Sequence, residues 1–182
     1  MPDAPISRVD GAPEAPDDPM LAEMFERIRA SRGHVLNIHR VVGHAPKMLR
    51  AQAAYTRALR EESSLPRDLQ ELLILRIAQV NDSAYEQSVH VPIAIKCGVS
   101  PDKIDALPAW RTSPLFDTRE RAALGLIEQA ARGGEVADDV FATAAGVFSP
   151  QEIIELTALV AWYVGNSRFV RALQVVSERR SG

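Results

Sequence analysis

"ELLILRIAQVNDSAYEQSVHVPIAIKCG", residues 71–98, contains two apolar stretches separated by a short polar break. Leu72 to Val80 is apolar nearly all round, interrupted by Arg76 and Gln79 and preceded by Glu71. A helix without a polar face must be buried, either in the centre of a subunit or where subunits meet. The residues after the break read as a second helix that carries Glu86 and His90 four positions apart, hence on one face. Pro92 follows two residues later; it cannot donate to the carbonyl of Ser88, and its ring predicts a bend beside His90. Cys97 and Gly98 mark the end of this helix.

Helical signals extend outward from this hairpin in both directions. Leu21, Met24, Phe25 and Ile28 have the spacing of one helix face, with Asp18 and Pro19 at the start. A helix runs from about Ala45 through "MLRAQAAYTRALREE", and "SSLP" ends it before Pro66 restarts the chain. Ser100 with Pro101, Asp117 with Glu120, and Ser149 with Pro150 and Glu152 mark further starts, and Gly133 and Gly134 close the helix begun at Asp117. Leu156 to Val164 forms a second helix apolar on nearly every side, with Thr157 and the Trp162 indole as exceptions and Asn166 and Arg168 beyond it. No period-two strand pattern is present, so the expected fold is all-α, a single helical domain over residues 20–182. Residues 1–19, rich in Pro, Asp and Ala and lacking a secretory signal, are expected to form a flexible arm.

The 182 residues suffice for one domain with a substantial core. Lys and Arg number 21 and Asp and Glu 24, a net charge of −3 scattered along the chain, which gives no footprint for nucleic acid or an anionic membrane. Cys97 is the single cysteine; this rules out an intramolecular disulfide and a Cys-rich zinc site and fits a reducing cytoplasm. The longest apolar run, "LTALVAWYVG", is too short to span a bilayer. His34, His39 and His44 are five residues apart, off any one helical face and without an accompanying carboxylate, so no metal site is expected.

The hairpin, with "ERAALGLIEQAAR" and "LTALVAWYVGNSRFVRAL", resembles the carboxymuconolactone decarboxylase and alkyl hydroperoxidase D superfamily, roughly from Asn37 to Leu173. The superfamily's thiol peroxidases carry a Glu, eleven residues, Cys-x-x-Cys, three residues and a His. Counted from Glu71, the cysteine positions fall on Ser83 and Glu86 and the histidine position on His90. The acid and the imidazole match, and both thiols are missing. A peroxidatic thiolate and its resolving partner have no counterpart here, so the resemblance points to the decarboxylase-like branch.

That branch implies a cofactor-free carbon–carbon lyase acting on a small carboxylated lactone or related acid, as in aromatic catabolism. His90 is then the general acid/base, with Glu71 or Glu86 orienting and tuning it. Arg76 or Arg40 neutralises a substrate carboxylate, Tyr85 hydrogen-bonds the developing enolate, and Ser83 and Asn37 complete the substrate-binding set. The superfamily also implies a homo-oligomer, whether dimer, trimer or hexamer. Simpler readings stand beside these. A buried histidine is often a satisfied core residue, Glu71 and Arg76 form a buried ion pair equally well, and Glu86 suits a solvated first helical turn. Tyr85 and Trp162 read as packing aromatics. The remaining alternatives are a hydroperoxidase relying on Cys97 and a non-catalytic small-molecule-binding oligomer.

Overall fold

The computed structural model describes residues 5–178. It is all-α, with nine helices among the described residues: α1 (Pro19–Arg32), α2 (Asn37–Val42), α3 (Pro46–Arg60), α4 (Arg67–Val80), α5 (Ala84–Lys96), α6 (Pro101–Ala106), α7 (Thr118–Ala131), α8 (Asp138–Ala145) and α9 (Pro150–Leu173), with a 3-10 turn at Leu107–Ala109. None of these helices is long and apolar enough to cross a membrane. Several begin where the sequence predicts. The side chain of Asp18 caps α1 and that of Ser100 caps α6, while Asp117 and Glu120 close a reciprocal capping box on α7. Ser149 and Glu152 exchange the same pair of bonds at the start of α9.

Compactness divides the chain into two units, one comprising the residues up to Ala58 with those from Val170, the other Leu59–Phe169. In the first unit, the part of the expected arm that is described is held by backbone bonds: Arg8 N–H to the Leu173 carbonyl, Val176 N–H to Ile6, and Ala12 N–H to Arg40. Each bond gives a polar backbone group a partner that a free arm would leave to water. Residues 1–4 lie outside the described residues.

The second unit is built on α4. Ten consecutive residues, Leu69 to Ala78, are buried, as an apolar helix surface requires. Helix α5 and helix α7 pack against it, α8 packs on α7, and Leu156, Leu159, Val160 and Tyr163 of α9 join the same apolar cluster. Burial of α9 is one-sided: Ile154 is 69% exposed, and Thr157 and Ala161 share its exposure. A three-residue link, Asn81–Ser83, turns the chain from α4 into α5, with Asp82 in the left-handed region at φ 50° and the Asn81 amide donating to the Ile77 carbonyl at 2.9 Å. Helix α5 continues through Pro92 without a break and ends at Lys96, followed by Gly98, whose φ of 100° favours glycine.

Arg76 lies apart from the expected site. Its guanidinium forks onto Glu128 of α7 through Nε at 2.9 Å and Nη2 at 2.7 Å, and donates to Gln79 at 3.0 Å. Glu128 also accepts from Trp110 at 2.7 Å, Arg111 at 2.9 Å and Arg132 at 3.0 Å. Burial works against its charge, but these four donors outweigh it and hold the carboxyl down at about 2. Arg76 is therefore ion-paired with Glu128 of α7, in a network separate from that of Glu71. Replacing Arg76 by Gln should cost about 2 kcal/mol in denaturant unfolding, because Glu128 keeps three donors, and should leave any turnover assigned to His90 within about threefold.

Candidate active site

The site is assembled from residues of the second unit: Arg60 at the end of α3, and side chains of α4, α5 and α9. Glu71, on the first turn and a half of α4, has no exposed surface, and His90 of α5 is only 3% exposed. Their side chains meet at 2.7 Å, Glu71 Oε2 to His90 Nδ1. An ionised carboxylate only accepts, so this bond fixes a proton on Nδ1 and turns Nε2 to the opposite side of the ring. That nitrogen faces Glu86 Oε2 at 3.5 Å. Glu86 and His90 thus share a face of α5, one turn apart, as their spacing predicts.

The other oxygen of Glu71 pairs with two arginines. Arg60, the last residue of α3, forms a buried ion pair with Oε1, and Arg67 reaches the same atom at 3.2 Å from the first turn of α4. Burial alone would raise the Glu71 pKa. The hydrogen bond with His90 and the charges of Arg60 and Arg67 reverse this and hold it below the ordinary carboxylate range. Glu71 is ionised, and its partners are Arg60 and His90 rather than Arg76.

Helix α9 closes the far side. Tyr163 stands edge-on to the His90 ring, with centroids 5.2 Å apart and planes at 88°, and its side chain accepts a hydrogen bond from Arg60. One turn further along α9, the Asn166 amide donates to Glu86 Oε1 at 2.6 Å. Glu86 is 2% exposed, so the solvated reading of this residue does not hold. Burial pushes its carboxyl up to about 7, against the smaller opposing effects of Asn166 and Arg60. Two glutamates on either side of one imidazole therefore differ in charge at neutral pH: Glu71 is an anion and Glu86 holds a proton up to about 7.

The remaining expected residues separate. Ser83 is at the N-cap position of α5, three residues before Glu86 and on its face. Tyr85 is buried but lies one residue from Glu86, about 100° around the helix and off the His90 face. Asn37 and Arg40 belong to the first unit, where the Asn37 amide donates to the Val176 carbonyl at 2.9 Å and Arg40 Nε to the Ala12 carbonyl at 3.1 Å. Arg60, Tyr163 and Asn166 are the members that spacing does not find. Asn166 carries the one signal available, a polar residue extending an otherwise apolar helix.

Residues 46–129 match the Carboxymuconolactone decarboxylase family, a segment that includes Arg60, Glu71, Ser83, Glu86 and His90. The chain is 31% identical over 153 residues to the uncharacterized protein YnjA of Escherichia coli (strain K12), covering 82% of this chain and 84% of that protein. Its fold is shared with an uncharacterized peroxidase-related protein of Ralstonia eutropha JMP134, described as an alkylhydroperoxidase AhpD core, with a TM-score of 0.85 and 21% identity over 97% of this chain and 95% of that one. It is shared also with an alanine variant of the debrominase Bmp8 in complex with 2,3,4-tribromopyrrole, with a TM-score of 0.81 and 19% identity over 98% and 94% of the two chains. At these identities the two structures establish the fold.

The Glu86 carboxyl has a consequence for stability. Its folded pKa is raised, so its favourable contribution is complete below the unfolded value and is lost as pH rises through about 7. Glu86→Gln keeps an oxygen for Asn166 and removes the titration. The variant should match the parent in thermal unfolding near pH 4.5 and exceed it by about 1–3 kcal/mol at pH 8.

Proposed function

For a chain that belongs to the carboxymuconolactone decarboxylase family, with a buried imidazole set between an ionised and a protonated glutamate, we propose a lyase that decarboxylates a small carboxylated lactone or related acid by side-chain acid/base catalysis. The observation that carries this reading is the opposed state of Glu71 and Glu86 across His90. Carboxyl groups whose environments push their pKa values apart divide the roles of acid and orienter.

In the proposed reaction the bond between the carboxylate and the ring carbon breaks, and its electron pair passes into the conjugated lactone as an enolate while CO₂ departs. A proton from the Glu86–His90 pair then reaches the carbanion-like carbon, giving the neutral lactone. His90 Nε2 is the exchanging edge and Glu86 supplies the proton to it. Glu71, fixed by Arg60 and Arg67, keeps the ring in one tautomer and stabilises the imidazolium when it forms. The substrate's own conjugation accepts the electrons, so the reading needs no added electron sink. A homo-oligomer belongs to the same reading and is supported by the exposed Ile154, Thr157 and Ala161 stripe of α9.

A thiol oxidoreductase is the second reading. It is favoured by one observation: Cys97, directly after α5, lies near the Arg60 guanidinium. The test is turnover of carboxylated enol-lactones, beside organic hydroperoxides with a thiol reductant, by the parent, His90→Gln and Cys97→Ser proteins. CO₂ release should fall about 10²–10⁴-fold in His90→Gln, persist in Cys97→Ser, and decline in the parent above about pH 7 as Glu86 loses its proton. Peroxide consumption that disappears with Cys97 would replace the lyase with the oxidoreductase.

A further inference from the structure

We propose that the first turn of α5 and the facing turn of α9 form a binding subsite for the carboxylate of a small organic acid, with Ser83 Oγ and Ser167 Oγ as its side-chain donors. The inference rests on the lyase reading and identifies where that substrate's leaving group is held. Ser83 and Ser167 are 1% and 0% exposed, and among the described residues neither hydroxyl has a hydrogen-bond partner. A buried hydroxyl without a partner is costly, and native proteins seldom keep two without a use. Ser83 has the N-cap position of α5, yet its side chain makes no capping bond.

The register of the two helices places both hydroxyls toward the same end of this face. On α5, His90 meets Tyr163 of α9; four residues earlier, Glu86 meets Asn166, three residues later on α9. The helices therefore run antiparallel along this face. Extending the register one step past Glu86 brings Ser83 level with the turn of α9 that holds Ser167. Ser83, Glu86 and His90 repeat at i, i+3 and i+7, and Tyr163 and Ser167 at i and i+4, so both hydroxyls belong to the faces that carry the site.

The donors suit a carboxylate. Two O–H groups join the leading N–H groups of a thirteen-residue helix, whose dipole favours an anion. Arg60 Nε is also buried without a partner, and its charge reaches Glu86 from the His90 side. Uncharged hydroxyls also suit a group that must lose its charge on leaving. A guanidinium clamped on the carboxylate would stabilise the ground state more than the transition state. A carboxylate resting on Ser83 and Ser167 directs the bond that breaks toward Glu86 and His90.

The probe is 5-oxotetrahydrofuran-2-carboxylate, a saturated lactone acid without the conjugation that decarboxylation requires, compared with its methyl ester. Titration calorimetry on the full chain should show the acid binding at least about tenfold more tightly than the ester. Ser83→Ala and Ser167→Ala should each weaken the acid about tenfold and leave the ester unchanged, with thermal unfolding of the free variants unchanged or raised, since each loses an unpartnered hydroxyl. Equal affinity of the acid for parent and both variants, no preference over the ester, or no binding of the acid overturns the subsite. The two readings fail separately. A catalytically silent protein that still binds the acid through the serines loses the lyase and keeps the subsite. CO₂ release with unchanged KM in the double serine variant loses the subsite and keeps the lyase.

Discussion

Glu71 is a carboxylate with no exposed surface on a helix whose neighbouring residues are almost all apolar, and the site is arranged around meeting its charge. An unpaired charge in such a position costs several kcal/mol, enough to threaten a domain whose net stability is about 5–15 kcal/mol. Three groups answer it: Arg60 from the end of α3, Arg67 from the start of α4 and the imidazole of α5. Each must be held where it is, so the electrostatic requirement of one residue fixes the junction of three helices. Arg76, five residues along α4 and about 140° around its axis, is met independently by Glu128. One buried helix thereby anchors two polar networks on separate faces.

The same arrangement sets the chemistry. Arginine charge is concentrated on Glu71, whereas Glu86 has an amide and a more distant Arg60, too little to offset its burial. The imidazole is left with an anion at Nδ1 and a protonated acid near Nε2. A single mobile proton in an otherwise enclosed site is what a proton transfer to carbon requires. The α5 terminus presents the Ser83 hydroxyl and the Glu86 carboxyl on the face that carries His90.

The fold was largely legible because its determinants are local. Caps at Asp18, Ser100, Asp117 and Ser149 and the apolar run from Leu72 to Val80 act within a turn or two of themselves. The grouping of Glu71, Glu86 and His90 was legible through spacing and family pattern together. What escaped is tertiary. Arg60, Tyr163 and Asn166 come from helices remote in sequence, and no periodicity states which residue of a distant helix reaches a given atom. Arg76 shows the same limit in reverse: two buried charges five residues apart look like a pair, but helical geometry turns them away from each other. The N-terminal segment reads as flexible from composition, whereas the bonds that tie residues 6–12 to the chain near Arg40 and Val176 are contacts that composition does not encode.

The proposed proton transfer depends on the protonation of Glu86, which can be read directly. Carboxyl-labelled glutamate, observed by carbon-13 resonance in the full chain and assigned by comparison with the Glu86→Gln variant, gives the titration of this one group. The expected midpoint is near 7, with Glu71 remaining ionised well below it. A Glu86 midpoint near the ordinary value of about 4.5 would contradict it, because His90 would then stand between two anions with no acid to supply its proton.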